Sequence, residues 1–244
     1  MRVEWVSEVG STNGELVRRA SAGELAHLTA LATTNQTAGR GRVGRTWVAP
    51  PGTAFAVSIF VAGERGFGWL PLLAGLAMTR AVRSMLPQQP VNLKWPNDVL
   101  VDGLKVAGLL GELVPSGGAV MGAGLNLTMT EEELPVPTAT SLTLCGAEPD
   151  ALLDRALAAY LEAFETLWGE FEDAGFDAEA GLRASVSDAC GTLGRDVRVE
   201  LPDGSALRGS ARAIDELGRL VVREGGSGAD RVVSAGDVTH VRYG

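Results

Sequence analysis

The sequence predicts an α+β protein: a larger body of mixed strands and helices, followed by a small all-β domain. Three observations predict it. Apolar residues make up 45% of the 244 residues, enough to build a core and too many for a disordered chain. Before residue 190, segments with strand alternation are interspersed with segments of helical period. After Cys190 only short alternating segments occur, separated by glycine-rich turns.

The elements follow in order. Val3 to Val6 reads as a strand, ending in the polar turn Ser11-Thr12-Asn13. Thr12 and Glu15 have capping-box spacing, which starts a helix running to about Ala22. Leu28 to Thr34 is a strand. Asn35 to Pro51 has no period and is rich in Gly and Arg, so it reads as a long loop of the kind kept for function. Thr53 to Ala62 alternates, with Phe55, Val57, Ile59 and Val61 on one face. Trp69 to Leu86 is an apolar, buried helix. Val91 to Trp95 and Val99 to Val101 are strands, Asp102-Gly103 is a hairpin turn, and strands follow over Lys105–Val114 and Ala119–Leu127. Glu131-Glu132-Glu133 reads as a solvated helix start. Asp150 to Phe171 is the clearest helix, with Leu153, Leu157, Tyr160, Leu161, Phe164 and Trp168 on one stripe, and a short helix follows to about Ser187. The stripe Tyr160, Phe164 and Trp168 reads as core. Five short strands come last: Val197–Leu201, Ala206–Ile214, Leu220–Arg223, Arg231–Val233 and Val238–Arg242. The turns Pro202-Asp203-Gly204, Glu216-Leu217-Gly218 and Gly225-Gly226-Ser227-Gly228 divide them into a small barrel. The boundary between the two parts falls near Ala189.

Composition excludes several functions. Lys+Arg 21 against Asp+Glu 30 gives a net charge of −9, which argues against a general nucleic-acid or membrane-surface binder. No apolar run approaches the roughly 20 residues of a membrane span, and Met1 begins no signal-peptide pattern. Two cysteines make no disulfide framework. A soluble cytoplasmic protein is expected. Only two of the 21 basic residues are Lys, Lys94 and Lys105, and they lie close together. Arg-rich usage alone could reflect genome composition, but a site needing a compact ammonium would be the exception to it.

Three segments carry chemistry. The first is Gln36-Thr37-Ala38-Gly39-Arg40-Gly41-Arg42-Val43-Gly44-Arg45-Thr46-Trp47. Glycines let the backbone present its N–H groups to an anion, and guanidinium forks grip carboxylate or phosphate oxygens. No Asp or Glu occurs from Leu25 to Gly63, so the neutralising partner of this positive island is expected to be a ligand rather than a neighbouring carboxylate. The bland alternative is a solvated surface loop. An RNA-binding Gly-Arg tract is disfavoured by the small number of Arg and the acidic chain.

The second segment is Lys94-Trp95-Pro96-Asn97-Asp98, followed by Asp102 to Gly108. Pro96 biases Trp95 towards an extended conformation and ends the strand, presenting Asn97 and Asp98. Alone, Asn-Asp is an ordinary turn pair. Lys105 stands in an otherwise apolar segment and needs a partner, which could be an anionic ligand or Asp98 or Asp102; the local sequence does not separate these. The third segment, Gly122-Ala123-Gly124-Leu125-Asn126, lacks the third Gly and following helix of a dinucleotide fingerprint. It reads as a strand open to close approach, ending in an amide that can pair with an edge such as adenine. His27 and His240 have no ligand spacing around them, and Ser11 has no nucleophile setting.

Together these three segments, with Ser11-Thr12-Asn13 ahead of a helix and Leu193-Gly194-Arg195 opening the last domain, resemble the biotin protein ligases over essentially the whole chain. The related lipoate ligases and octanoyl transferases share the fold but not the Gly-Arg-Gly-Arg loop. The resemblance implies a catalytic domain over 1–189, with a mixed sheet flanked by helices as in class II synthetases, and an SH3-like barrel over 190–244. Some family members carry an N-terminal DNA-binding winged helix; the strand leading to Ser11 leaves no room for one, so a ligase without repressor function is expected. The implied activity is ATP-dependent. Biotin is activated to biotinyl-AMP with release of pyrophosphate, then transferred to a lysine of a biotin carboxyl carrier domain.

Ser11, Thr12 and Gln36 supply the neutral donors and acceptors that a ureido ring requires, and the resemblance implies that they bind it, with Asn13 beside them. Gly39, Arg40, Gly41, Arg42, Lys105 and Gly108 complete the implied biotin site. Arg42, Arg45, Trp47, Lys94, Asn97, Lys105 and Asn126 make up the implied ATP site. Asn126 would pair with adenine and Trp47 would close over the nucleotide. Lys105 would contact both the biotin carboxylate and the α-phosphate, and Arg42 would hold phosphate. Asp98 would orient or deprotonate the attacking amine, or help place metal or Lys105. Mg²⁺ would ride on the ATP phosphates, with no protein side chain as ligand. The Gly-Arg loop would order over the intermediate and exclude water. An exposed edge strand would serve homodimerisation or carrier docking. A non-enzymatic biotin sensor or nucleic-acid-associated module would need a DNA-binding arm.

Overall fold

The computed structural model describes residues 1–201, 204–234 and 236–240. The expected turn residues Pro202 and Asp203, and Val241 and Arg242 of the last expected strand, lie outside the described residues. The chain runs β1 (Arg2–Trp5), α1 (Thr12–Ser21), β2 (Thr29–Thr33), β3 (Ala54–Val61), α2 (Leu70–Met85), β4 (Val91–Lys94), β5 (Asp98–Val101), β6 (Leu104–Leu113), β7 (Ala119–Asn126), α3 (Leu152–Asp173) and α4 (Leu182–Ala189). It continues with β8 (Asp196–Glu200), β9 (Ala206–Ile214), β10 (Leu220–Glu224), β11 (Asp230–Val233) and β12 (Asp237–His240).

The first seven strands form one mixed sheet in the order β1-β2-β3-β7-β6-β5-β4, with β1 parallel to β2 and the other neighbours antiparallel. Strand alternation sorts its two faces. Phe55, Val57, Ile59, Val61, Met121, Ala123 and Leu125 belong to the large core that includes α2 and α3. On the opposite face, Leu31, Phe60 and Val120 pack with Leu16 and Ala20 of α1. The row of β3 expected to share a face is therefore the row that faces the main core. The helix α2 is buried over most of its length, following its apolar run Leu70–Met78, while Arg80, Arg83 and Ser84 near its end are exposed. Tyr160, Phe164 and Trp168 lie in the core, and burial raises the Tyr160 phenol above its usual range.

Three local details differ from the sequence reading. Ser11, not Thr12, caps α1: its Oγ accepts from Gly14 N at 3.3 Å, which leaves the Thr12 side chain to turn inward. Glu131 to Glu133 form an exposed turn rather than a helix start. The Gly-Arg segment is not an open loop. Trp47 N donates to Gly39 O at 3.0 Å and Gly41 N to Arg45 O at 2.7 Å, making a narrow hairpin with a single helical turn over Arg42–Gly44.

The last five strands form an antiparallel sheet in the order β11-β10-β9-β8-β12. It is fastened to the larger body through two indoles. Trp69 Nε1 donates to Glu216 O at 2.9 Å and Trp95 Nε1 to Gly218 O at 3.1 Å, both in the β9–β10 turn. Trp95 N also donates to Thr192 Oγ1 at 3.1 Å. No helix among the described residues is long and apolar enough to cross a membrane.

Trp95 is 1% exposed, so Trp95→Phe removes a donor from a carbonyl that solvent cannot replace. Leaving such a group unpaired costs about 1–3 kcal/mol. We expect the unfolding midpoint to fall by about 3–10 °C in a thermal scan, at roughly 2–4 °C per kcal/mol for a chain of this size. An unchanged midpoint would mean that this contact does not hold the two parts together.

Candidate functional site

The site lies on the α1 side of the large sheet. Four of the positions facing it on the central strands are small, Ala56 on β3, Gly108 on β6, and Gly122 and Gly124 on β7, with Leu110 of β6 beside them. This sparse floor is what the close packing above it needs. A methyl group at Gly122 would lie 2.1 Å from Asn13 Oδ1. At Gly124 it would meet the Trp47 indole at 2.5 Å. At Gly108 it would meet Lys105 Nζ at 3.0 Å. The segments therefore interlock through glycine: Gly124 and Gly108 make room for Trp47 of the Gly-Arg segment, Gly122 for Asn13 of α1, and Gly108 also for Lys105 of its own segment.

One cavity opens above this floor. It is lined by Ser11, Thr12, Asn13, Gln36, Arg40, Gly41, Arg42, Arg45, Trp47, Asn97, Asp98, Lys105 and Gly108, and by Gly236 and Asp237 from the small domain. Arg42 and Lys105, widely separated in sequence, thus share a cavity. Gly39, Lys94 and Asn126 do not line it. Gly39 borders an adjoining open groove. Lys94 Nζ stands 3.8 Å from Asp98 Oδ2. Asn126 is buried at the end of β7, where its Nδ2 donates to Thr140 O at 2.9 Å.

The neutral end of the cavity is a connected network. Gln36 Oε1 accepts from Thr12 N at 2.8 Å and lies 3.2 Å from Thr12 Oγ1. Ser58 Oγ lies 2.7 Å from Thr12 Oγ1 and 2.6 Å from Asn13 Oδ1. Asn13 Nδ2 donates to Leu110 O at 3.0 Å and to Glu112 Oε2 at 2.8 Å. The amide of Asn13 is thereby fully engaged within the protein, so it acts as a brace for its neighbours.

At the charged end each cation faces protein oxygen. Arg40 Nη2 donates to Glu112 Oε2 at 2.8 Å, Lys105 Nζ lies 2.6 Å from Asp98 Oδ1, and Arg45 pairs with Asp237. The sequence reading expected no carboxylate for these arginines. That expectation is corrected: Glu112 and Asp237 are far along the chain and are brought in by the fold. Arg42 differs, because its partners are neutral. Its Nη1 donates to Asn97 Oδ1 at 2.9 Å and Gly236 O at 3.4 Å, and Asn97 is held by donating its own Nδ2 to Leu109 O at 2.7 Å. Burial lowers the Arg42 pKa from its ordinary value, with Asp237 and Asp98 opposing the shift; the carboxylate of Asp237 raises that of Arg45. The cavity therefore has neutral hydrogen-bonding groups at one end and four cations at the other, one of them desolvated without a paired carboxylate.

Ser58, Glu112 and Asp237 were missed by sequence reasoning. Two had a signal: Ser58 is the one polar residue of the strand Ala54–Val61, and Glu112 interrupts the apolar end of β6. Asp237 had none. Among the described residues, no group of three or more His, Cys, Asp or Glu side chains is arranged to hold a metal ion.

Residues 9–126 match the Biotin/lipoate A/B protein ligase family and residues 192–241 match the Biotin protein ligase C terminal domain. The biotin--[acetyl-CoA-carboxylase] ligase of Mycobacterium tuberculosis is 41% identical over 251 residues, covering 99% of this chain and 90% of that protein. The bifunctional ligase/repressor BirA of Escherichia coli is 33% identical, covering 89% of this chain and 68% of that protein. Among solved structures, the Aquifex aeolicus biotin protein ligase in complex with biotin and ATP superposes with a TM-score of 0.80 at 25% identity, with 99% of each chain covered.

The glycine floor makes a prediction of its own. In a Trp5→Phe background, which removes the other part-exposed indole, Gly124→Ala should displace Trp47 from the floor. Acrylamide quenching of tryptophan fluorescence should then rise, since Trp69, Trp95 and Trp168 are buried. Unchanged quenching would mean that the indole tolerates a methyl group beneath it.

Proposed function

The chain belongs to the biotin/lipoate A/B protein ligase family, and from that premise we propose that it is a biotin protein ligase. It joins biotin to ATP to give biotinyl-AMP and pyrophosphate, then passes the biotinyl group to a lysine of a carrier domain. The observation that carries this reading is the two-ended cavity, in which the neutral Thr12–Gln36 end and the cations Arg42, Arg45 and Lys105 face one space. A ureido ring suits the first end. Two anions that must meet, a carboxylate and an α-phosphate, suit the second.

In the first step a biotin carboxylate oxygen attacks the α-phosphorus and the bond to the bridging oxygen breaks, releasing pyrophosphate. Charge on the phosphoryl oxygens is stabilised by fixed cations, which need no reorganisation as the reaction proceeds. Lys105 is proposed to bridge the carboxylate and the α-phosphate. Its 2.6 Å ion pair supports the reading of Asp98 as the group that positions it. Ligand oxygens would take over the arginines from Glu112, Asp237 and Asn97. Trp47 would pack against the nucleotide, with Gly39 and Gly41 shaping the hairpin around the biotinyl group. Asn126 would pair with adenine through Oδ1 and its second Nδ2 hydrogen, the first being held by Thr140 O, and Lys94 would act through Asp98. Mg²⁺ fits as an ion carried by the polyphosphate: Asp98 and Asp237, the carboxylates lining the cavity, already face cations.

In the second step the carrier amine attacks the acyl carbon and AMP leaves. The pairing of β5 along β6 stops at Gly108, so the far end of β6, with its exposed Leu113, offers an edge to the carrier or to a second copy of the chain. A cytoplasmic location goes with that substrate.

ATP–pyrophosphate exchange tests the reading. Exchange should depend on biotin, and exchange with lipoate or octanoate alone would move the chain to a sister activity. Lys105→Ala should lose about 10²–10³-fold in exchange rate with the fold intact; near wild-type exchange would contradict its role. Arg42→Gly should release biotinyl-AMP and label proteins indiscriminately, read by mass spectrometry of bystander proteins. Retention of the intermediate would refute the hairpin's part in sequestering it.

A further inference from the structure

An open groove runs beside the cavity, between the Gly-Arg hairpin and the far half of β6. Arg40, Arg42, Arg45 and Leu110 line both, so the groove meets the cavity at its charged end. The pairing of β5 along β6 stops at Gly108, so the sheet supplies no strand on that edge beside Leu110 and Glu112. Among the described residues lining the groove, Glu112 is the one acidic side chain, set against three arginines, and it does not line the cavity. One of its two oxygens is engaged. Oε2 accepts from Asn13 Nδ2 and from Arg40 Nη2, each at 2.8 Å, whereas Oε1 has no hydrogen-bond donor among the described residues.

The second step of the reaction brings a cation to this place. A lysine side chain, with an ordinary pKa of about 10.4, arrives as an ammonium. Three guanidinium groups repel it, so its approach needs a counter-charge. Asp98 is already taken: Oδ1 lies 2.6 Å from Lys105 Nζ and Oδ2 lies 3.8 Å from Lys94 Nζ. Asp237 pairs with Arg45 and, like Asp98, lines the cavity and not the groove. Of the three carboxylates, Glu112 is the one that combines a place in the groove with an oxygen still able to accept.

We propose that Glu112 is the receptor for the ammonium of the carrier lysine: Oε1 accepts the incoming –NH₃⁺ in the groove, while Oε2 holds Arg40 until ligand oxygens take it over. This rests on the reading of the chain as a biotin protein ligase, and it gives the amine to Glu112 and leaves Asp98 to Lys105. The ammonium loses one proton to water in the open groove. The nitrogen lone pair then attacks the acyl carbon, and the bond from that carbon to the phosphate oxygen breaks with its electron pair going to AMP. The nitrogen loses its second proton to water as the amide forms. Glu112 binds and guides the nucleophile and takes no proton overall.

The test supplies biotinyl-AMP directly, with the chain in excess, so that the first step is bypassed. Two nucleophiles are compared: a biotin carboxyl carrier domain, which presents an ammonium, and hydroxylamine, which is uncharged at mildly alkaline pH. In Glu112→Gln, which keeps an oxygen for Arg40 and Asn13, the rate constant for the carrier should fall at least about tenfold more than that for hydroxylamine, and carrier transfer should become less sensitive to salt. An equal fall for both nucleophiles would mean that Glu112 only supports its neighbours, and would overturn the proposal; so would no fall for the carrier. Asp98→Asn, which disturbs Lys105, should slow both nucleophiles alike. A loss of the preference for the carrier in that variant would put the ammonium at Asp98 and overturn the proposal even where Glu112→Gln fails to fold. A wild-type chain with no biotin-dependent ATP–pyrophosphate exchange overturns the biotin reading itself, a result separate from the ratio of the two nucleophiles.

Discussion

Everything in the site stands on three glycines on one face of the large sheet, Gly108 on β6 and Gly122 and Gly124 on β7. A central sheet normally buries that face under bulky apolar groups, as it does on the opposite side, where Met121, Ala123 and Leu125 meet the main core. Here Gly108, Gly122 and Gly124 let polar and aromatic groups from elsewhere lie against the backbone itself. Glycine costs roughly 0.5–1 kcal/mol in a strand relative to alanine, and the chain bears that cost three times in one patch. What it gains is depth: Asn13 is 4% exposed and can be tied to fixed acceptors, so the groups that depend on it inherit a fixed orientation.

Depth also explains why the cations are paired as they are. Several positive groups converge on one cavity and would repel one another in a medium of reduced dielectric. Glu112, Asp98 and Asp237 offset that repulsion at Arg40, Lys105 and Arg45. The pairs are partly exposed, so each contributes little to stability on its own. Their effect is on geometry: each holds a flexible side chain over the cavity instead of in solvent.

Much of this was legible in the sequence because a few residue types broke a strong local rule. Lys94 and Lys105 stand out in a chain that otherwise uses Arg, and the Gly-Arg hairpin stands out against an acidic balance. Alternation in Thr53–Ala62 foretold which row of β3 faces the main core. What was not legible depended on long-range pairing. Nothing near Asp237 marks it as the partner of Arg45, since only the fastening of the small domain brings them together. The helix cap moved by one residue because the Thr12 hydroxyl was drawn inward by Ser58, a tertiary contact that overrides a local motif. Asn126 reads as an amide able to pair with an edge such as adenine; that the segment after β7 returns over it and takes one of its two N–H groups was not legible.

The small domain also has a reason to be attached where it is. Gly236 and Asp237 close the side of the cavity next to Arg42. Burial there withdraws water from the guanidinium, and its nearest partners, Asn97 Oδ1 and Gly236 O, offer dipoles instead of a matching charge. The resulting downward shift does not discharge an arginine near neutral pH, because its ordinary pKa is so high. A lysine at the same place could lose its proton under the same desolvation. Arg42 therefore keeps a full charge while losing part of its hydration, which strengthens its attraction for an incoming anion. The two indole hydrogen bonds of Trp69 and Trp95 hold that wall in position. Through them the packing of a domain that supplies almost no side chains to the cavity governs the strength of the charge at its centre.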